Sequence, residues 1–315
     1  MGKIKIIKAI FIIVSLSLIF VSGLFYFSML TIKEIVYDYD FNDARKYWDI
    51  NSYQENSRKS NININNDIIV IHIVDNVNDS NLCWGFIHQG EYPHGWGKYA
   101  YEPPLKNEIV IYPNKDYNNY DLILKIKLKR SKINFLSGNV PQWMEKENHL
   151  CHVQIGLALF FEVEGRNYSA PTNIYDTNFQ FEITFLRVRL TKNGELIFLD
   201  DQLKFRAPEY DNDTHNIYSY YQIGANKWYD FEINLMPYLI NSWNLCKELF
   251  GNANWIKLRW VNFYVEILNA EIIVEVDHIR LIYRKNLFHK DVIYQSIIIT
   301  IVLSILLMII IKYLK

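Results

Sequence analysis

Little in this sequence leans toward one sign of charge. Lys and Arg total 33 against 34 Asp and Glu, a net charge of −1, so nothing global argues for a nucleic-acid partner. Cysteine is scarce. Cys83, Cys151 and Cys246 allow one disulfide and leave one thiol over, free or intermolecular. At 315 residues the chain is large enough not to need disulfides in place of a core. No repeat, charge-rich block or Gly/Ser linker divides it, which argues for a single folded domain. No Ser/His/Asp constellation, phosphate-binding glycine loop, CxxC pair or basic aromatic patch stands out.

What the chain has in excess is aromatic: 16% of residues, with 23 Tyr, 18 Phe and 8 Trp. Aromatic and β-branched residues suit pleated, half-buried surfaces, so an all-β domain is expected. Two uncharged runs flank it. Residues 9–32 follow Lys3, Lys5 and Lys8, and residues 292–311 precede Lys312 and Lys315. Each reaches the roughly 20 residues that cross a bilayer as a helix. The early lysines favour a cytoplasmic N-terminus, so two spans leave both termini inside and export everything between. Arg284, Lys285 and Lys290 crowd the outer end of the second run and oppose that bias. The first run reads either as an anchor or as a signal peptide cleaved near Ser22 and Gly23. Its length favours the anchor. The expected organisation is an anchor over 1–32, an extracytoplasmic domain over 33–290 and a second span with a short cytoplasmic tail over 291–315. Asn78, Asn167 and Asn212 head glycosylation sequons, compatible with a surface glycoprotein.

Within the exported part, alternation sets the strands. Leu122, Leu124, Ile126 and Leu128 share one face, and Lys125, Lys127 and Lys129 the other. Residues 153–164 alternate likewise. In residues 179–190 the phase slips between Phe185 and Leu186, the mark of a β-bulge. Lys192-Asn193-Gly194 predicts a hairpin with a type I′ turn. Residues 228–235 form another alternating strand. Pro237 opens one short helix carrying Leu239, Ile240 and Trp243 on one side, and Gly251 ends it. Residues 256–267 and 271–283 are expected to close the domain as a strand pair. Residues 51–67, polar and Asn-rich, read as a loop or ragged edge. The pattern as a whole predicts a two-sheet antiparallel β-sandwich or jelly roll with one short helix, flanked by two transmembrane helices. First and last strands of such folds are often neighbours.

Two short motifs sharpen this. Phe41-Asn42-Asp43 with Trp48 is similar to the opening, and Val276-Asp277-His278-Ile279-Arg280-Leu281 to the closing strand, of jelly-roll carbohydrate-binding modules of the galactose-binding-like type. The resemblance implies a structural Ca²⁺ between the two ends, with Asp277 as one ligand and Asp43 or Asp40 replacing the acid whose place Asn42 takes. On the residues alone, the phase of 271–283 breaks at Asp277-His278. A bulge there would free backbone groups for an ion or for Asp277 itself.

The sheet face opposite the core collects candidates for binding. It carries Gln154, Glu162 and Glu164, then Glu182, then Trp228, then Trp260, Asn262, Tyr264 and Glu266. Amides and carboxylates bond sugar hydroxyls, and flat rings stack on pyranoses. Trp96, flanked by glycines, is a loop aromatic offered to the same end. An ordinary solvated face is the plain alternative. Were the domain a glycosidase, Glu162 or Glu164 with Glu266 would be its carboxylate pair. His149, Cys151 and His152 lack a fourth ligand for a structural zinc, and strand geometry sends Cys151 and His152 to opposite faces. The expected partners are the membrane and either glycans or another envelope protein. The readings carried forward are a cell-surface glycan binder, a glycosidase or polysaccharide lyase of the same architecture, and an envelope assembly component.

Overall fold

The computed structural model describes residues 32–37, 60–75, 81–90, 105–116, 119–166, 178–198, 203–206 and 223–285, with isolated positions between 12 and 23. The three sequons, Asp40, Asp43 and Trp96 lie outside them, as do both hydrophobic runs apart from those positions. Among the described residues no helix is long and apolar enough to cross a membrane.

Among the described residues fourteen strands form two sheets. The first sheet runs in the order β12 (Tyr229–Asn234), β6 (Tyr120–Arg130), β14 (Ala270–Lys285), β3 (Ile68–Val74), β2 (Ser60–Asn65). Two further strands, β1 (Lys33–Tyr37) and β7 (Asn134–Phe135), also pair with β14. The second sheet runs β10 (Leu196–Phe198), β9 (Asn178–Thr191), β8 (His149–Val163), β13 (Ile256–Leu268), β4 (Cys83–Gly90), with β11 (Leu203–Arg206) on β9 and β5 (Val110–Ile111) on β13. The expected β-sandwich is therefore present, and the first and last strands are neighbours. The helices are α1 (Pro113–Asp116), α2 (Gln142–Lys146) and α3 (Met236–Cys246). Among the described residues of 32–285 only α3 is long enough to leave a periodic signal, and it carries its proline in the first turn as expected.

The core lies between the sheets. Ile69, Ile71 and Ile73 of β3, and Leu122, Leu124, Ile126 and Leu128 of β6, face Val153, Ile155, Leu157, Leu159 and Phe161 of β8, all fully buried. Each contributes roughly 1.5–3 kcal/mol on leaving water. A Cβ on Gly85 of β4 would sit 2.6 Å from Ile73 Cδ1, so the two sheets touch there with no room to spare. The bulge expected in β9 is real: the register with β8 shifts between Ile155 and Gly156, leaving Phe185 and Leu186 both buried. Phe185 stacks on Phe231 of the other sheet at 5.4 Å. Trp243 of α3 stacks on Phe250 at 5.1 Å and meets Phe179 edge-on at 6.1 Å.

Three local expectations need correction. β13 and β14 are not a pair. One residue, Asn269, joins them, and they leave it for opposite sheets. The turn after β9 is not type I′, because only Gly194 has positive φ, at 80°. Thr191 N–H donates to Glu195 O and Gly194 N–H to Thr191 O, which makes a three-residue loop with its left-handed residue last. The two-residue turn lies elsewhere. Asn66 and Asp67, at φ 50° and 63°, link β2 to β3 where a ragged loop was expected.

By compactness Glu34–Tyr117 and Leu122–Ile282 form one unit, the sandwich. A second unit includes Tyr120, Asp121 and residues 283–285. Within it the Tyr120 and Tyr283 rings stack at 4.9 Å, and Arg284 approaches Asp121 at 3.8 Å.

Candidate functional site

The outer face of the second sheet is where the candidates converge. Register sets them in rows across β4, β13, β8 and β9. Trp84 lies opposite Glu266, Gln154 and Arg187; Phe86 opposite Tyr264, Gly156 and Thr184. His88 then lies opposite Asn262, Ala158 and Glu182, and Gly90 opposite Trp260, Phe160 and Gln180. Six sequence candidates, Gln154, Glu182, Trp260, Asn262, Tyr264 and Glu266, thus share one patch.

The patch is neither a solvated face nor an apolar core. Gln154, Gln180, Glu182, Thr184, His88 and His152 are buried on it. Phe160, Trp260 and Ala158 pack as a small apolar cluster with Tyr264 against them, and the Phe160 and Trp260 rings meet edge-on at 4.8 Å.

Two carboxylates are held there by different partners. Gln154 Nε2 donates to Glu182 Oε1 at 2.7 Å and to Tyr264 Oη at 2.5 Å, and the Tyr264 hydroxyl donates to the same Glu182 oxygen. Burial, reinforced by the Glu182 charge, pushes the Tyr264 phenol well above its ordinary pKa, so it remains a donor. Gly156 makes this network possible. A Cβ there would fall 2.5 Å from Tyr264 Oη and 2.6 Å from Cζ, so the ring crosses β8 only over a glycine. On the other side of β8, Trp84 Nε1 donates to Glu266 Oε2 at 2.6 Å, and His152 Nε2 lies 2.9 Å from Oε1.

Burial pushes His152 below the ordinary imidazole pKa despite the Glu266 charge. Burial alone would raise Glu266, but the His152 hydrogen bond and charge, the Trp84 N–H and the Arg187 charge outweigh it and hold the carboxyl low. The pair is therefore a neutral imidazole donating to a carboxylate. Both folded-state pKa values are depressed, so this stability is present above the unfolded values and lost as pH falls through the folded ones. Thermal midpoints should fall on acidification from about pH 6.5 to below about pH 4. In His152→Gln the upper part of that slope should flatten, and an unchanged pH profile would remove the linkage.

Other candidates sit elsewhere. Glu162 lies opposite Lys257, eight positions along β8 from Gln154, which is opposite Glu266. At about 3.3 Å per residue that is roughly 26 Å, far beyond the about 5–9.5 Å a glycosidase pair requires. Glu162 instead faces Arg259 at 3.4 Å. Glu164, just past β8, accepts the Asn254 backbone N–H at 2.5 Å. The Glu162 or Glu164 pairing with Glu266 is therefore withdrawn. Trp228 immediately precedes β12 of the other sheet, with Lys127 and Lys129 of β6 each 5.4 Å from its ring. Alternation gave its face correctly but could not tell which sheet the face belonged to.

Asp277 also lies in the first sheet, buried where the burial phase of β14 breaks. It accepts a hydrogen bond from the Lys127 ammonium, so among the described residues its charge is met by a lysine. Among the described residues no three His, Cys, Asp or Glu side chains converge to hold a metal ion. Cys151 and His152 do point to opposite faces. The Cys151 thiol, pushed up to about 11 by burial, bonds Leu136 O at 3.3 Å. Cys151 is in no disulfide, and Cys83 is buried in β4.

Sequence reasoning did not nominate Trp84 or Gly156 and weighed His152 only as a metal ligand. His152 and Gly156 share the parity of Gln154 on β8, which was the available signal, whereas no residue of β4 was nominated to point to Trp84.

No protein-family model matches the chain, and no curated protein does. Among solved structures it is similar to a native family 12 xyloglucanase from Bacillus licheniformis, at 10% identity over 78% of this chain and 97% of that one, TM-score 0.38. It is also similar to winged bean acidic lectin complexed with methyl-α-D-galactose, at 9% identity over 78% and 98%, TM-score 0.24.

Proposed function

We propose that the protein binds glycans on the outer face of β13, β8 and β9, in a β-sandwich held at the membrane on the extracytoplasmic side. One observation carries the binding reading: this face is buried, yet its polar atoms are not all used. Among the described residues Gln180 Oε1, Thr184 Oγ1 and His152 Nδ1 are buried without a hydrogen-bond partner. Buried polar atoms are almost always bonded, so unmet ones beside aromatic rings argue for a polar occupant with flat apolar faces. A pyranose has both. The membrane part rests on the uncharged runs 9–32 and 292–311 and the lysines before the first.

Full-length protein in detergent micelles, applied to a glycan array, should bind at least one saccharide class, and Tyr264→Ala should abolish the signal. Silence across the array would sink the reading. Protease treatment of sealed cells should clip the domain while sparing both termini. Protection of the domain would overturn the orientation.

A second reading, hydrolysis of a bound glycan, is favoured by one feature. Glu182 and Glu266 are separate carboxylates on strands either side of β8, oriented by different donors. Release of reducing ends from a bound polysaccharide, lost in Glu266→Gln, would support it. Binding without turnover would leave the protein a binder.

A further inference from the structure

Trp143 is 43% exposed, although tryptophan is among the more buried residue types on average. It is carried by α2, a helix of five residues. The next residue, Met144, is fully buried and pins that helix to the sandwich. Asn148, at φ 63°, turns the chain from α2 into β8, and its carbonyl accepts Lys192 N–H at 3.0 Å. The exposed ring therefore stands on a fixed support.

Beneath it lies Arg189 of β9, with its guanidinium carbon 5.1 Å from the ring centroid and the residue only 8% exposed. Arg189 Nη1 donates to Glu147 Oε2 at 2.5 Å and lies 3.2 Å from His149 Nδ1. Glu147 N–H donates to Trp143 O in a helical bond, so the two side chains lie on one side of α2. Both rest on the same guanidinium. The Glu147 side chain is half exposed, and among the described residues its contacts are all through Oε2. An exposed indole beside an exposed carboxylate suits a sugar, since the ring stacks on its apolar C–H face and the carboxylate accepts its hydroxyls.

Register ties this pair to the patch described above. Arg189 lies opposite His152, whose Nε2 is 2.9 Å from Glu266 Oε1. The row of His152 and Arg189 is four positions along β8 from the row of Gly156 and Tyr264, roughly 13 Å at about 3.3 Å per residue. One pyranose is too short to span the two rows. An extended chain of sugars along β8 meets both.

Resting on the glycan-binding reading, we propose that Trp143 and Glu147 form a second sugar subsite. The occupant is accordingly an oligosaccharide or polysaccharide chain running along β8 from Tyr264 to Trp143, and not a single terminal sugar. A purely structural Trp143, shielding Arg189 from water, would give no dependence on chain length.

The probes are β-1,4-linked gluco-, manno-, xylo- and chito-oligosaccharides and α-1,4-linked gluco-oligosaccharides, each as dimer and hexamer. They are titrated by calorimetry into the full chain in detergent micelles. In any series that binds, the hexamer should bind wild type about tenfold tighter than the dimer. Trp143→Ala should bring the hexamer down to the affinity of the dimer and leave the dimer unchanged. Trp143→Tyr should keep most of the gain. Equal affinity of dimer and hexamer in the wild type overturns the subsite alone. So does a Trp143→Ala protein that keeps the gain, or one that weakens both lengths alike, the mark of a structural role. Should that variant fail to fold, hydroxyl-radical footprinting of the wild type decides. The hexamer should protect Trp143 where the dimer does not, and a Trp143 left unprotected by the hexamer overturns the assignment. Silence of every probe at both lengths removes the glycan-binding reading and the subsite with it.

Discussion

Asn269→Ala should lower the unfolding free energy by about 2–4 kcal/mol, read from urea denaturation of the full chain followed by tryptophan fluorescence. Asn269 is the sole link between β13 and β14, which depart into opposite sheets, and it is 1% exposed. Its Nδ2 donates to Asn139 O at 3.0 Å and to Leu150 O at 2.9 Å. Its backbone N–H donates to Asp75 Oδ2 at 2.6 Å, and its carbonyl accepts Leu136 N–H at 2.8 Å. Truncation to alanine removes one hydrogen bond from each of two part-buried carbonyls, at about 0.5–1.5 kcal/mol each. Alanine also tolerates the φ of 51° less well than asparagine, adding about 1 kcal/mol.

Companion variants separate these causes. Asn269→Gly keeps the backbone conformation and should recover the strain alone, while Asn269→Asp turns a donor into an acceptor against two carbonyls and should be worst. A loss under about 1 kcal/mol in Asn269→Ala would mean the corner is held by the backbone bonds alone. Gly138 belongs to the same corner, since a Cβ there would lie 1.9 Å from Asn269 Oδ1.

That corner also marks where the sequence stops being readable. Alternation reports which side chains share a face of a strand, and it did so for β6, β8, β9, β12 and β13, bulges included. It does not report which sheet a strand joins or which residue lies opposite. Trp228 and Trp260 therefore looked like members of one face although Trp228 packs on β6 of the first sheet and Trp260 lies in the second. Glu162 and Glu266 looked like a pair although register separates them along β8. The β13–β14 connection reads as a hairpin because a single polar residue between two strands usually is one. Only the hydrogen bonds to Asp75, Asn139 and Leu150, distant in sequence, make Asn269 a crossing between sheets. β2 was lost for another reason. Its alternating Asn and Ile residues give a weak apolar signal, and Asn66-Asp67 is a less familiar positive-φ pair than Asn-Gly.

Gly156→Ala should abolish glycan binding while costing the fold only about 1–3 kcal/mol, the usual range for a tight site gaining a methyl group. The reason is geometric. Tyr264 reaches Glu182 by laying its ring across β8, and the added Cβ would sit 2.5 Å from Oη, 2.6 Å from Cζ and 2.8 Å from Cε1. Backbone cannot yield in the middle of a sheet bonded on both sides, so the ring must lift. Lifting breaks its bonds to Glu182 and Gln154 and disturbs its packing on Ala158, Phe160 and Trp260. Tyr264→Phe is the discriminating comparison, because it keeps the ring in place and removes only the hydroxyl. Under the proposed reading it should weaken binding by about tenfold, one lost hydrogen bond to a charged group, where Gly156→Ala removes binding altogether. The thermal midpoints should run the other way round from a purely structural role. Tyr264→Phe leaves Glu182 buried with one donor fewer, whereas Gly156→Ala shifts a ring that is only partly buried. If Gly156→Ala binds glycan as the wild type does, the flat ring over β8 is not the platform and the occupied face lies elsewhere.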